Sequence, residues 1–285
     1  MKRLESIIGV DLGGTNIRAG KVVADKIILL AKEPTPIAGS QSEVLEKLYA
    51  VIDSCFDDYT KSIGIGVPSV VDVEKGIVYD VVNIPSWKVV PLKDLLESRY
   101  KVPVYVNNDA NCFVLGEKYY GKARDCKSVV GLTIGTGMGS GLIFNGKLYE
   151  GQNCCAGEFG NIPYLNRNFE HYCSGQFFSE EKSTSAIDAF NQAVLGDQAA
   201  IQLFSEYGFH LGQAIKSALY AYDPEIIILG GSLTKAYDFF KPAMFEAIQN
   251  FDYRNVLTNL KIEISELEHS AIYGAAALYL NIGQH

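Results

Sequence analysis

The stretch Ile8-Gly9-Val10-Asp11-Leu12-Gly13-Gly14-Thr15-Asn16-Ile17-Arg18 reads as an apolar strand that breaks at a carboxylate and a glycine pair, then resumes as a second strand from Ile17 to Val23. The same order returns at Val130-Gly131-Leu132-Thr133-Ile134-Gly135, again a strand running into a Gly/Thr turn and a second apolar strand. A pattern that restarts in this way predicts a duplicated unit. Glycines at such turns let the chain bend sharply, and they let backbone N–H groups converge on a phosphate. A third cluster of the same kind, Gly230-Gly231-Ser232, follows the apolar run Ile226–Leu229.

Working outward, the spacing predicts a strand at Lys26–Leu30. An amphipathic helix with Val44, Leu45, Leu48, Val51, Ile52 and Cys55 on one face follows. A buried strand spans Ser62–Val67, and Pro91 opens a short helix carrying Leu92, Leu95 and Leu96. The strand Val102–Val106 leads through Asn107-Asn108-Asp109 into a helix reaching Glu117. Later come a long helix from Ala200 to Tyr222 stopped by Pro224, a strand at Lys261–Ile264, and a small-residue helix at Ala271–Leu280. Alternating strands and helices indicate an α/β protein with buried sheets.

Composition narrows the function. The chain has 285 residues, 48% hydrophobic and 20% charged, with 27 glycines and a net charge of −8. That length suggests about two domains, and the apolar fraction excludes disorder. The acidic balance argues against nucleic acid and against acidic membranes as partners. The six cysteines (Cys55, Cys112, Cys126, Cys154, Cys155 and Cys173) show no disulfide framework. The N-terminal residues run straight into a strand, so no signal peptide is expected, and the uncharged stretch Ser128–Gly146 is too rich in glycine for a membrane span. A cytoplasmic protein is expected. Two nucleotide-binding patterns fail: Gly141–Gly146-Lys147 imitates a P-loop but has Leu148 where a hydroxyl should hold magnesium, and Asn145-Gly146 reads better as a hairpin turn. The first glycine turn leads to a strand, not a helix, which disfavours a dinucleotide fold.

Several segments resemble the ROK family of sugar kinases and repressors. Asp11-Leu12-Gly13-Gly14-Thr15-Asn16-Ile17-Arg18 is similar to its first phosphate motif, and Asn108-Asp109-Ala110-Asn111-Cys112 with Leu115-Gly116-Glu117 to its catalytic segment. Thr133–Gly141 resembles its second phosphate motif, Gly157-Glu158-Phe159-Gly160 its sugar-binding segment, and Ile228-Leu229-Gly230-Gly231-Ser232 its adenosine segment. The resemblance implies an actin-like ATPase (ribonuclease H-like) fold, with two similar α/β domains around a cleft that holds the active site. The expected domains are 1–108, closed by a C-terminal helix at 271–285, and 109–270.

The resemblance implies an ATP- and Mg2+-dependent hexose kinase acting on the 6-hydroxyl of glucose. N-acetylmannosamine, N-acetylglucosamine or fructose are the alternatives, as are polyphosphate as donor and a sugar-binding regulator with weak turnover. Asp109 would be the general base, its position before a helix also suiting an N-cap. Asp11 would position magnesium through water. Gly13, Gly14, Thr15, Thr136 and Gly137 would hold phosphates, and Gly230, Gly231 and Ser232 the adenosine. Asn83 (in Asn83-Ile84-Pro85-Ser86-Trp87), Asn108, Glu158, Asn161 and Glu180 would bind sugar, with Trp87 as packing. The family's zinc ligands are degraded to Asn161, His171, Cys173 and Phe178, so no zinc is expected. A DNA-binding repressor is disfavoured, because the first phosphate motif begins close to Met1. A homodimer or higher homo-oligomer is implied by resemblance.

Overall fold

In the computed structural model, residues 4–282 are described. The first strands are β1 (Ser6–Leu12), β2 (Asn16–Val23) and β3 (Lys26–Pro34), followed by α1 (Gln41–Asp53) and β4 (Thr60–Val67). Short strands β5 (Val70–Asp72), β6 (Ile77–Tyr79) and β7 (Val89–Pro91) precede α2 (Leu92–Tyr100), β8 (Val104–Asn108) and α3 (Asp109–Tyr119). The pattern then restarts with β9 (Val129–Ile134), β10 (Met138–Phe144) and β11 (Lys147–Leu148). After the small hairpin β12 (Pro163–Tyr164) and β13 (Arg167–Asn168) come α4 (Phe169–Cys173), α5 (Ala186–Val194) and α6 (Gln198–Tyr222). The chain closes with β14 (Ile226–Gly230), α7 (Tyr237–Gln249), α8 (Arg254–Asn259), β15 (Lys261–Ile264) and α9 (Ser270–Ile282).

The duplication read from the sequence is present in the topology. One five-stranded sheet has the order β3-β2-β1-β4-β8 and the other β11-β10-β9-β14-β15. In both, the strand before the first glycine turn of its half pairs in parallel with the strand that follows a helical crossover. Asn145 and Gly146 turn β10 into β11 with positive φ at both positions, the two-residue hairpin expected of Asn-Gly. The three-stranded sheet β5-β6-β7 has strands too short to show a period. Helix α7 escaped the sequence reading because Pro242 lies inside it.

The described residues divide into two compact units, 4–125 with 141–156 and 266–282, and 126–140 with 157–265. The division expected at 108/109 differs from these units. Helix α3 belongs to the first because it packs against α9 at backbone distance: a Cβ on Gly116 would lie 2.5 Å from the Ser270 carbonyl oxygen. In that unit Ile8, Val10 and Leu12 are fully buried in one cluster with Val44, Leu48, Val51 and Ile52 of α1. On its other side, β1 presents Gly9 to α9, where a Cβ would lie 2.0 Å from the Ile272 carbonyl oxygen. The small residues Ala275, Ala276 and Ala277, all fully buried, complete that close approach. Helix α9 lies in the first unit; residues 283–285 of the helix expected at 271–285 lie outside the described residues. In the second unit α6 buries Phe204, Tyr207, Leu211 and Ile215 along one face and ends on Asp223 in the left-handed conformation, just before Pro224. Among the described residues no helix is long and apolar enough to cross a membrane.

Candidate active site

The first unit brings three parallel strands to a common end. Asp11 of β1 is paired with Gly66 of β4, and Gly66 with Asn107 of β8. A Cβ on Gly66 would lie 3.1 Å from the Cys112 thiol sulfur and 3.5 Å from the Asp109 Cα. Glycine there lets the first turn of α3 rest on the strand end, so Asp11 and Asp109 flank one narrow position. The carboxyl ends of parallel strands are where ligands bind in such sheets. Burial holds the Asp11 carboxyl above its usual range, opposed in smaller part by Arg18, its cross-strand partner. The fully buried Cys112 thiol is pushed well up, by burial first and then by Asp109 and Asp11, so both acids act on one place.

The Gly13-Gly14-Thr15 turn is pinned from outside. The Gly13 N–H donates to the Asn16 carbonyl at 3.1 Å, and the Thr35 hydroxyl to the Gly13 carbonyl at 2.7 Å. A Cβ on Gly14 would lie 2.9 Å from the Asn83 Cβ. The expected sugar residue Asn83 thus lies against the expected phosphate turn and is exposed, as is Thr15. Trp87 is fully buried, in keeping with packing.

Asp109 is the first residue of α3, and the N-cap role weighed for it belongs to Asn108. The Asn108 Oδ1 accepts the Ala110 N–H at 2.8 Å, and its Nδ2 donates to the Ser69 carbonyl at 3.3 Å. The side chain expected to meet sugar is thereby held by the backbone on both its polar ends. Behind it stands Asn107, wholly buried, which the sequence reading passed over. A cavity of about 590 Å³ in the same unit is lined by Asp72, Glu74, Tyr79, Glu150 and Cys154 among others.

In the second unit two glycine clusters meet. Thr133 of β9 is paired with Gly230 of β14, which sets the turn after each strand beside the other. A Cβ on Gly135 would lie 3.4 Å from the Ser232 Oγ. The Gly135 N–H donates to the Gly137 carbonyl at 3.0 Å, closing a tight turn that leaves Thr136 exposed. Gly231 has φ 92° and ψ 175° and packs on the Ile134 backbone. Glu170 of α4, also missed from sequence, accepts the Met138 N–H at 3.0 Å. A Cβ on Gly137 would lie 2.6 Å from the same carboxylate. No spacing rule ties Glu170 to that turn.

Glu158 and Asn161 stand together on a 3-10 turn, the Asn161 Nδ2 donating to Glu158 Oε2 at 2.9 Å. Desolvation raises the Glu158 carboxyl, with the Asn161 hydrogen bond opposing. Glu180 lies exposed on the π-helical turn Phe177–Glu181, where it and Glu181 face the buried His171. The His171 Nε2 lies 2.6 Å from Glu181 Oε1, and its Nδ1 3.6 Å from Glu180 Oε2. Cys173, fully buried, has its thiol pushed up by desolvation. Among the described residues no three metal-ligating side chains are arranged to hold an ion.

The motif residues described in each unit lie in the order of a known family, whose sequence pattern, the ROK family's, matches residues 7–282. The chain belongs to the ROK family. It is 29% identical to a glucokinase of Thermotoga maritima over 95% of this chain and 96% of that one. It is 31% identical to an N-acetyl-D-glucosamine kinase of Vibrio vulnificus over 79% of this chain and 84% of that one. A ROK family glucokinase from Streptomyces griseus, solved in complex with glucose and AMPPNP, superposes with a TM-score of 0.82 at 26% identity, covering 96% of this chain and 98% of its own. This ROK protein accordingly has the actin-like ATPase fold expected from its motifs.

Proposed function

We propose that this ROK protein is a sugar kinase that transfers the γ-phosphoryl group of ATP to the 6-hydroxyl of glucose, with Asp109 as general base. The observation that carries the reading is the placement of Asp109: first residue of α3, at the carboxyl ends of parallel strands, with Asp11 on the far side of Gly66. The similarity to glucokinases and to an N-acetylglucosamine kinase supports a hexose as acceptor.

In this reading Asp109 accepts the proton of the sugar hydroxyl as its oxygen attacks the γ-phosphorus, and the bond from that phosphorus to the bridging oxygen of ADP breaks. Gly13, Gly14, Thr15, Thr136 and Gly137 present backbone and hydroxyl donors to phosphate oxygens, while Gly230, Gly231 and Ser232 line the adenosine. Asn83, Asn108, Glu158, Asn161 and Glu180 are the sugar-binding set. Asp11 is the residue that fits magnesium: a desolvated carboxylate with its pKa raised by burial gains most from a nearby cation. Magnesium, when bound, neutralises charge on the phosphates. The Asn161–Glu158 hydrogen bond orients the carboxylate without the positive charge a histidine could supply.

A coupled assay of ADP release tests this over glucose, fructose, N-acetylglucosamine and N-acetylmannosamine, with ATP and with polyphosphate. Glucose and ATP should support the highest kcat/KM. Asp109→Asn should lower kcat by about 10²–10⁴-fold, the range for a removed general base. An Asp109→Asn enzyme that keeps more than a tenth of the wild-type kcat refutes the assignment.

A further inference from the structure

Asn107 lies two residues before the proposed base, and its side-chain amide is tied on every side. Its Oδ1 accepts the Asn108 N–H at 2.8 Å and the Asn111 Nδ2 at 2.9 Å. These contacts straddle Asp109, one in the residue before it and one in the first turn of the helix after it. The Asn107 Nδ2 donates in the other direction, to Glu150 Oε1 at 2.5 Å. The Cys154 thiol also reaches Asn107 Oδ1, at 3.4 Å. Asn107 is fully buried, and its amide is satisfied by protein groups.

From this geometry we infer that Glu150 is a positioning residue for phosphoryl transfer, holding Asp109 in register through the Asn107 amide. The inference rests on the reading of Asp109 as the base.

An asparagine amide is a rigid planar bar on a soft, roughly two-fold torsion. One end of this bar must present an acceptor to three donors, Asn108 N–H, Asn111 Nδ2 and the Cys154 thiol. The other end presents N–H to an acceptor supplied by a distant part of the chain. Glu150 supplies it, because a carboxylate only accepts when ionised and so fixes which end of the amide faces it. Turning the bar over would set N–H against N–H at one end and oxygen against carboxylate at the other. Removing the carboxylate frees the Nδ2 end to swing, and the Asn108 backbone moves with it. Desolvation holds the Glu150 carboxyl above its usual range, and the Asn107 hydrogen bond opposes that rise in smaller part. Misplacement of a reacting group by about 1 Å is enough to lower a rate by about 10²-fold.

The test is a swap of the two partners, read by steady-state kinetics on the full chain with ATP and the best sugar of the panel. Glu150→Ala should lower kcat about tenfold, with the KM values for sugar and ATP within twofold of wild type. Glu150→Gln keeps an acceptor oxygen and should stay within threefold. Asn107→Asp sets one carboxylate against another and should lower kcat at least thirtyfold. In Asn107→Asp/Glu150→Gln the donor and acceptor trade places, the new glutamine amide donating to the new carboxylate, and kcat should recover at least tenfold over Asn107→Asp alone. Should Glu150→Ala fail to fold by circular dichroism, the comparison of Asn107→Asp with the swap decides. A Glu150→Ala kcat within twofold of wild type overturns the inference, and so does a swap no better than Asn107→Asp. An inactive Asp109→Asn beside an unaffected Glu150→Ala overturns this inference alone. An active Asp109→Asn overturns the base reading and this one with it.

Discussion

Gly231→Ala isolates what the third glycine cluster does for the fold. Gly231 has φ 92° and ψ 175°, a region that is essentially glycine's alone and costs other residues about 1–3 kcal/mol. An added Cβ would also lie 2.3 Å from the Ile134 carbonyl oxygen and 2.8 Å from its carbon. That neighbour is backbone of the fully buried Ile134 at the end of β9, so it cannot swing aside, and forced overpacking of this kind costs about 1–3 kcal/mol more. The two together amount to about 2–6 kcal/mol, a large share of a typical stability of about 5–15 kcal/mol. Gly196→Ala is the control in the same unit: its φ is 87°, and an added Cβ meets nothing within 4 Å. It should lose only the left-handed penalty of about 1–2 kcal/mol. Urea unfolding, followed by fluorescence and circular dichroism, reads both. With m of about 1–3 kcal/mol/M or more for a chain of this size, the Gly231→Ala midpoint should fall below that of Gly196→Ala by about 1 M. Equal midpoints for the two variants would refute the argument that strand contact, and not φ alone, demands glycine at 231.

Asp11→Asn should raise the melting temperature at pH 8 while removing activity. The wild-type acid has a folded pKa raised above 3.8 by burial, so its contribution to stability is present at low pH and lost as pH rises through the folded value. The gain should vanish towards pH 4, and a gain larger at pH 4 than at pH 8 would contradict the sign. His210 works in the opposite sense. Burial depresses its pKa below 6.5, and its Nδ1 lies 3.0 Å from the Tyr164 hydroxyl, so the stability it contributes above that pH is lost on acidification. His210→Gln should therefore lose fewer degrees of melting temperature than wild type between pH 7 and pH 5. Gly64→Ala should destabilise the first unit by about 3 kcal/mol or prevent folding, because its Cβ would lie 1.8 Å from the Ala275 carbonyl oxygen of α9. Chemical denaturation or soluble yield checks it.

What could be read without coordinates was local. Strands into glycine turns, the Asn145-Gly146 hairpin, the α6 stop at Pro224 and the restart of the pattern at Val130 all depend on near neighbours in the chain, and the matched sheet orders follow from them. The family's motif residues were visible for the same reason, since phosphate and metal chemistry concentrates on short turns. Tertiary structure decided what links residues far apart. It moved the N-cap from Asp109 to Asn108 and drew α3 into the first unit through Gly116 and Ser270. It also set Glu170 against the Gly137 turn and Glu150 against Asn107. Those contacts join side chains whose partners lie on other elements. Strand register and glycine-permitted backbone approach, neither of which leaves a periodic trace in sequence, determine which carboxylate reaches which amide.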